Sequence, residues 1–182
     1  MADPATDPAA DELSTEGTTE PEAPAVEPPR RLGIVAVVAL AVIALDQLTK
    51  RWAVSSLSDG HSIHVVGSLH LDLYFNTGVA FSMGSGNRLG PLITLLAIGV
   101  VIGVAFGSTS RYPLGAVAAG LIAGGALGNL IDRAFRGDEG FLHGAVVDFI
   151  DPRFWPVFNV ADACGVVGAF LLVIASLRRP AA

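Results

Sequence analysis

Four stretches of about twenty mostly apolar residues decide the solvent in which this chain folds. They run from about 32 to 50, 89 to 107, 113 to 131 and 157 to 177. A helix rising about 1.5 Å per residue needs about 20 residues to cross the roughly 30 Å hydrocarbon layer. Each stretch meets that length, so the sequence predicts an all-α membrane protein with four transmembrane helices. Composition agrees: 15% of the 182 residues are charged, against about 25% in an ordinary soluble domain.

The charges are also unevenly spread. Residues 1–29 carry eight acids and no base, which leaves nine acids against eleven bases in the rest of the chain. The net charge of −6 therefore describes a tail. That tail is rich in Ala, Pro, Thr, Glu and Asp, has almost no large apolar side chain, and reads as a disordered segment. Residues 30–179 read as the membrane domain. The first apolar run is no cleaved leader by this reading, because it follows the acidic stretch and ends in Asp46-Gln47-Leu48-Thr49-Lys50-Arg51 with no small-residue cleavage site. A single cysteine, Cys164, excludes a disulfide framework, and His61, His64, His70 and His143 lack metal-ligand spacing. No metal, organic cofactor or nucleic-acid partner is expected.

Polar residues close the first and third runs and open the fourth. With alternating spans, Asp46, Thr49 and Lys50, then Asn129, Asp132 and Arg133, then Asn159 and Asp162 all gather at one membrane face. The intervening segment of about 58–82 alternates polar and apolar residues around Gly67-Ser68, the pattern of a small antiparallel sheet hooding that face. Gly78 allows a sharp turn back towards the membrane. Gly120, Gly124 and Gly128 recur every fourth residue and read as packing positions. Basic residues do not orient the chain. Arg30, Arg31, Arg111, Arg178 and Arg179 on the terminus side face Lys50, Arg51, Arg88, Arg133, Arg136 and Arg153 on the other.

Asp148 and Asp162 are the sharpest candidates for chemistry. Asp148 lies in a strand-like apolar run, Val146–Ile150, expected to dip into the interface level with Asp162. A carboxylate near hydrocarbon costs several kcal/mol unless paired, solvated or protonated. Two such groups at one surface suggest a shared proton and an activated water. Asp46 and Lys50 are four residues apart, as a helix-end ion pair or a substrate contact. Arg133 offers a planar fork of donors to a carboxylate or peptide carbonyl, or pairs with Asp132. Asn159, three residues before Asp162, is placed to orient it or to donate to a developing oxyanion.

Five motifs in register make the chain similar to bacterial lipoprotein signal peptidase, or signal peptidase II. They are Asp46-Gln47-Leu48-Thr49-Lys50, Asn76-Thr77-Gly78-Val79-Ala80-Phe81, Gly128-Asn129-Leu130-Ile131-Asp132-Arg133, Val146-Val147-Asp148-Phe149 and Phe158-Asn159-Val160-Ala161-Asp162. The resemblance spans roughly residues 32–177 and leaves the acidic tail out. It implies an aspartyl endopeptidase, with no cofactor, in the bacterial cytoplasmic membrane; a monomer is expected. The implied partners are membrane lipid and a prolipoprotein substrate whose cysteine already carries diacylglycerol, with cleavage just before that cysteine. It also implies a catalytic pair at Asp148 and Asp162, and substrate contacts from Asn76, Asn129, Arg133 and Asn159. Asp46, Lys50, Gly78 and Asp132 would be supporting residues. Both termini would be cytoplasmic, the site and its β-sheet hood extracytoplasmic, and globomycin the inhibitor. The competing readings are a small proton-coupled membrane transporter, disfavoured because no internal repeat is visible, and a non-enzymatic lipoprotein scaffold.

Overall fold

The computed structural model describes residues 28–77, 89–137, 142 and 144–178, with side chains in the helix that begins at Leu89 described from residue 96 onward. The expectations for the acidic tail, Gly78 and His143 lie outside these residues. In chain order the elements are α1 (Leu32–Leu57), β1 (Ile63–Val66), β2 (Leu69–Asn76), α2 (Leu89–Phe106), a 3₁₀ turn (Ser108–Arg111), α3 (Pro113–Phe135), β3 (Val146–Asp151) and α4 (Val160–Leu177).

Helix α1 runs seven residues beyond the expected end at Lys50. Its buried residues, Val35, Ala39, Val42, Asp46, Lys50, Ala53 and Leu57, recur every three or four positions. They form one continuous stripe that the charges do not interrupt. The last turns leave the apolar stretch and carry Ala53 and Leu57 into a small core with Val147 and Phe149. Trp52 meets the Phe149 ring edge-on, with centroids 6.3 Å apart. The opposite side of α1, with Val37, Leu40, Leu45 and Leu48, stays exposed, as a lipid-facing surface must.

Helix α3 is the central member and packs against α1, α2 and α4. Its buried residues are almost all Gly or Ala, so neighbouring backbones approach closely. A side chain at Gly124 would lie 2.8 Å from the Ala39 carbonyl oxygen. Pro113 starts the helix at a position whose N–H needs no intrahelical partner. At the far end, Arg31 N–H donates to the Ser110 carbonyl at 3.1 Å, and Arg30 Nε donates to the Phe106 carbonyl at 2.9 Å. The start of α1, the end of α2 and the start of α3 thus share one end of the bundle.

At the other end lies a three-stranded antiparallel sheet in the order β1-β2-β3. The sequence predicts the first two strands but not that Val146–Asp151 joins them. Tyr74 stands opposite Asp148 and Phe75 opposite Val147. Only tertiary folding joins strands about seventy residues apart, and local alternation carries no sign of it. Helix α4 starts at Val160, not at the expected 157. Phe158 instead exchanges backbone hydrogen bonds with Ile150 at 2.9 and 3.1 Å, and Asn159 is the helix cap.

Three helices, Leu32–Leu57, Pro113–Phe135 and Val160–Leu177, are long and apolar enough to cross a membrane. Their exposed apolar faces make this a multi-pass membrane protein. Where the second span is expected lies an apolar helix, α2, 18 residues long.

Candidate active site

The site forms where the lower ends of α1 and α3 meet β2, β3 and the start of α4. Asp148 is only 3% exposed, at the middle of β3. Its two oxygens accept from two asparagines. Asn159 Nδ2 donates to Oδ1 at 2.7 Å and Asn76 Nδ2 to Oδ2 at 3.0 Å. Asp162 sits in the first turn of α4. It forms a reciprocal cap with Asn159: the Asp162 N–H donates to Asn159 Oδ1 at 2.9 Å, and the Asn159 N–H donates to Asp162 Oδ2 at 3.2 Å. Asn129 Nδ2 on α3 donates to the remaining oxygen, Asp162 Oδ1, at 2.8 Å.

Asn159 is therefore the hinge of the arrangement. It is fully buried, touches both carboxyls, and donates to Asn129 Oδ1 at 3.1 Å. Burial holds the Asp148 carboxyl above its ordinary range and the nearby charge of Asp162 pushes the same way, against the amides of Asn76 and Asn159 and the charge of Lys50. The positive end of α4 favours an anion at Asp162.

A second cluster lies just behind. Lys50 Nζ, fully buried, meets Asp46 Oδ2 at 2.9 Å and Asp132 Oδ2 at 2.8 Å, and donates to Asn129 Oδ1 at 2.8 Å. Three acceptors saturate its three N–H groups. Asp46 Oδ1 accepts the Ala161 N–H at 3.0 Å, so α1 holds the start of α4. Asp132 Oδ2 accepts the Val147 N–H at 3.3 Å, so α3 holds β3. Gly128 makes room for this cluster, since a side chain there would come within 2.7 Å of Asp46 Oδ2. It serves the polar cluster as well as helix packing.

The structure sorts the sequence candidates. Asp148, Asp162, Asn76, Asn129 and Asn159 come together in one network, and Asp46, Lys50 and Asp132 in the adjoining one. Thr49 does not join them, because its hydroxyl donates back to the Leu45 and Asp46 carbonyls of its own helix, both at 2.9 Å. Asp132 pairs with Lys50 and with Arg136, 2.6 Å away, in place of the alternative pairing with Arg133. Arg133 is left 9% exposed, in the combined field of Asp148, Asp132 and Asp162. Two residues escape a reading of the sequence. Gln47 Nε2 reaches Asp46 Oδ2, the Gly128 carbonyl and Asp132 Oδ1 at 3.2–3.3 Å, and Arg136 anchors Asp132. The position of Gln47 one residue after Asp46 was the available signal. Among the described residues no three His, Cys, Asp or Glu side chains gather as a metal site requires.

Two carboxyls held by neutral amide donors beside a buried arginine can share a proton, activate a water and polarise a carbonyl. Known proteins point the same way. The family model described as signal peptidase (SPase) II matches residues 38–178. A lipoprotein signal peptidase of Rhodococcus jostii is 49% identical over 150 residues, covering 81% of this chain and 74% of that protein. One from Mycobacterium avium is 46% identical over 164 residues, covering 89% of this chain and 88% of that protein. A solved bacterial membrane enzyme superposes with a TM-score of 0.69 at 29% identity, covering 85% of this chain and 99% of that one. These likenesses lend no support to the transporter alternative.

Proposed function

The chain belongs to the signal peptidase II family and cleaves the signal peptides of lipoprotein precursors; from that premise we propose that Asp148 and Asp162 are its catalytic pair. The observation that carries this reading is the asparagine bridge, in which one buried residue, Asn159, donates to both carboxyls, through its side-chain amide to Asp148 and through its backbone N–H to Asp162. Asp162, with two N–H donors at the positive end of α4, is the ionised member. It takes a proton from water, and the hydroxyl oxygen adds to the scissile carbonyl carbon. Asp148 is the protonated member and polarises the carbonyl oxygen. Collapse of the tetrahedral intermediate breaks the C–N bond. The proton held by the pair passes to the leaving amine. Arg133 faces the developing negative charge and then the new C-terminal carboxylate of the signal peptide. Asn76 and Asn129 set the direction of each carboxyl. Asp46, Lys50 and Asp132 lock α1, α3, β3 and α4 around the pair.

The substrate we propose is a prolipoprotein with a diacylglyceryl group on the cysteine that follows the cut. Its acyl chains lie against the apolar helices, where each buried CH₂ contributes about 0.8 kcal/mol. Residues 30–179 act as one peptidase unit with four spans, α2 being the fourth. At about 1.5 Å per residue α2 is about 27 Å long, near the thickness of the hydrocarbon layer. Both termini are cytoplasmic and the site faces outward in the bacterial inner membrane, with a monomer sufficient for activity. Purified protein given a lipidated precursor is expected to yield the shortened product, and globomycin to prevent it. A precursor left intact by a folded protein would overturn the assignment of the pair.

A further inference from the structure

A groove of about 360 Å³ opens between α1 and α3 at the site's end of the bundle, lined by Gln47, Arg51, Ile131, Asp132, Phe135 and Arg136. It lies on the lipid-facing side. Phe135 is 77% exposed, and Ile131 continues that apolar wall along α3. Polar groups line the rest. Lys50 and Arg136 balance Asp46 and Asp132 in ion pairs of 2.6–2.9 Å, which leaves Arg51 without an ion-pair partner among the described residues. Arg51 follows Lys50 directly, so its side chain turns away from the buried stripe and into the groove. Among the described residues the Arg136 side chain bonds only Asp132, through Nε, which leaves its terminal nitrogens for another acceptor. Gln47 spends its amide N–H groups on Asp46, Gly128 and Asp132, so its carbonyl oxygen is the side left to accept.

We infer that this groove binds one anionic phospholipid, its phosphate held between Arg51 and Arg136 and an acyl chain laid against Ile131 and Phe135. Paired guanidinium forks match phosphate oxygens, and a cavity of this volume accommodates a glycerophosphate headgroup. The Gln47 carbonyl suits a headgroup hydroxyl. The uncharged diacylglyceryl group of the proposed substrate offers the arginines ester carbonyls but no anion, so this site is separate from the one that takes the precursor. Through Arg136, Asp132 and Lys50 the lipid would rest on the cluster that supports the pair.

Native mass spectrometry of the full chain, released from detergent after titration with dioleoyl phosphatidylglycerol, tests this. One retained phosphatidylglycerol is expected. Arg51→Gln should weaken its retention roughly tenfold, the usual worth of a hydrogen bond to a charged group, with an unchanged unfolding temperature in lipid-free detergent. Dioleoyl phosphatidylcholine should bind no better to the parent protein than phosphatidylglycerol does to the variant. Equal retention by parent and variant, or equal binding of the two lipids, would overturn the inference. Displacement of phosphatidylglycerol by millimolar inorganic phosphate would reassign the groove to a free anion and overturn it as well. Cleavage of precursor plays no part in this readout, so failure of the lipid site and failure of the protease assignment are distinguishable.

Discussion

Four aspartates meet at one end of this bundle, and they are held in two different ways. Asp46 and Asp132 share the ammonium of Lys50, at 2.9 and 2.8 Å. Among the described residues Asp148 and Asp162 receive only neutral amide and backbone donors, from Asn76, Asn129 and Asn159. A carboxylate locked to a buried cation fixes structure, because breaking the pair strands a charge in low dielectric. A carboxyl held by amides keeps its direction without having its charge state fixed, and can gain or lose a proton during a reaction. The difference between the clusters is thus between a brace and a proposed reaction centre, although Asp148 is nearly as buried as the two bracing acids.

The largest expected effect comes from the reaction centre. Asp148→Asn or Asp162→Asn should lower turnover of a lipidated precursor on the order of 10³-fold or more, the scale of lost acid–base catalysis, while the protein stays folded. The Asp148 carboxyl is raised above its ordinary value of 3.8, so folding takes up its proton and stability declines as pH rises through the raised value. Asp148→Asn removes that decline. Thermal unfolding in detergent should therefore show a variant that gains on the parent protein as pH rises. Full turnover by either variant would erase the distinction between the clusters.

Lys50→Met should do the opposite. It strands the buried carboxylate of Asp46, while Asp132 keeps Arg136, and should cost about 3–5 kcal/mol of stability, seen as a large drop in unfolding temperature. A variant as stable as the parent would show that the second cluster is no brace.

Arg133→Ala should leave unfolding nearly unchanged, because no described residue accepts a hydrogen bond from its guanidinium, and should lower turnover per folded molecule roughly 10–100-fold. A stability loss with intact turnover would move Arg133 from the reaction centre to the brace. The smallest effect sharpens the comparison furthest. Asn76 donates to Asp148 and lowers its pKa, so Asn76→Ala should raise it further. The alkaline limb of the kcat/KM profile, where the pair loses its shared proton, should move to higher pH. A shift to lower pH would contradict the assignment of that proton to Asp148.

Much of this was legible beforehand, for reasons that differ by residue. The Asp46–Lys50 contact follows from helical spacing, and the Asn159–Asp162 cap from a three-residue interval at a helix start. Both are local, and α-helix geometry fixes them. The closure of Lys50 on Asp132 crosses from α1 to α3 and has no local signal. Neither does the pairing of Tyr74 with Asp148. Asp132 pairs with Arg136, four residues on, and not with its immediate neighbour Arg133; the same helical spacing favours this, because residues one apart on a helix do not face each other. Thr49 misled because its motif spacing fits a polar face, whereas a threonine within a helix often satisfies its hydroxyl on its own backbone.

The order of apolar runs and polar ends alone determined that this chain enters a membrane and brings its acids to one end, because hydrocarbon excludes unpaired backbone and charge wherever they lie in the sequence. Which acids met a buried cation and which met only amide and backbone donors was decided only when α1, α3, β3 and α4 closed together. Charge state depends on the partners within a few ångströms, and those partners come from parts of the chain that sequence proximity does not connect.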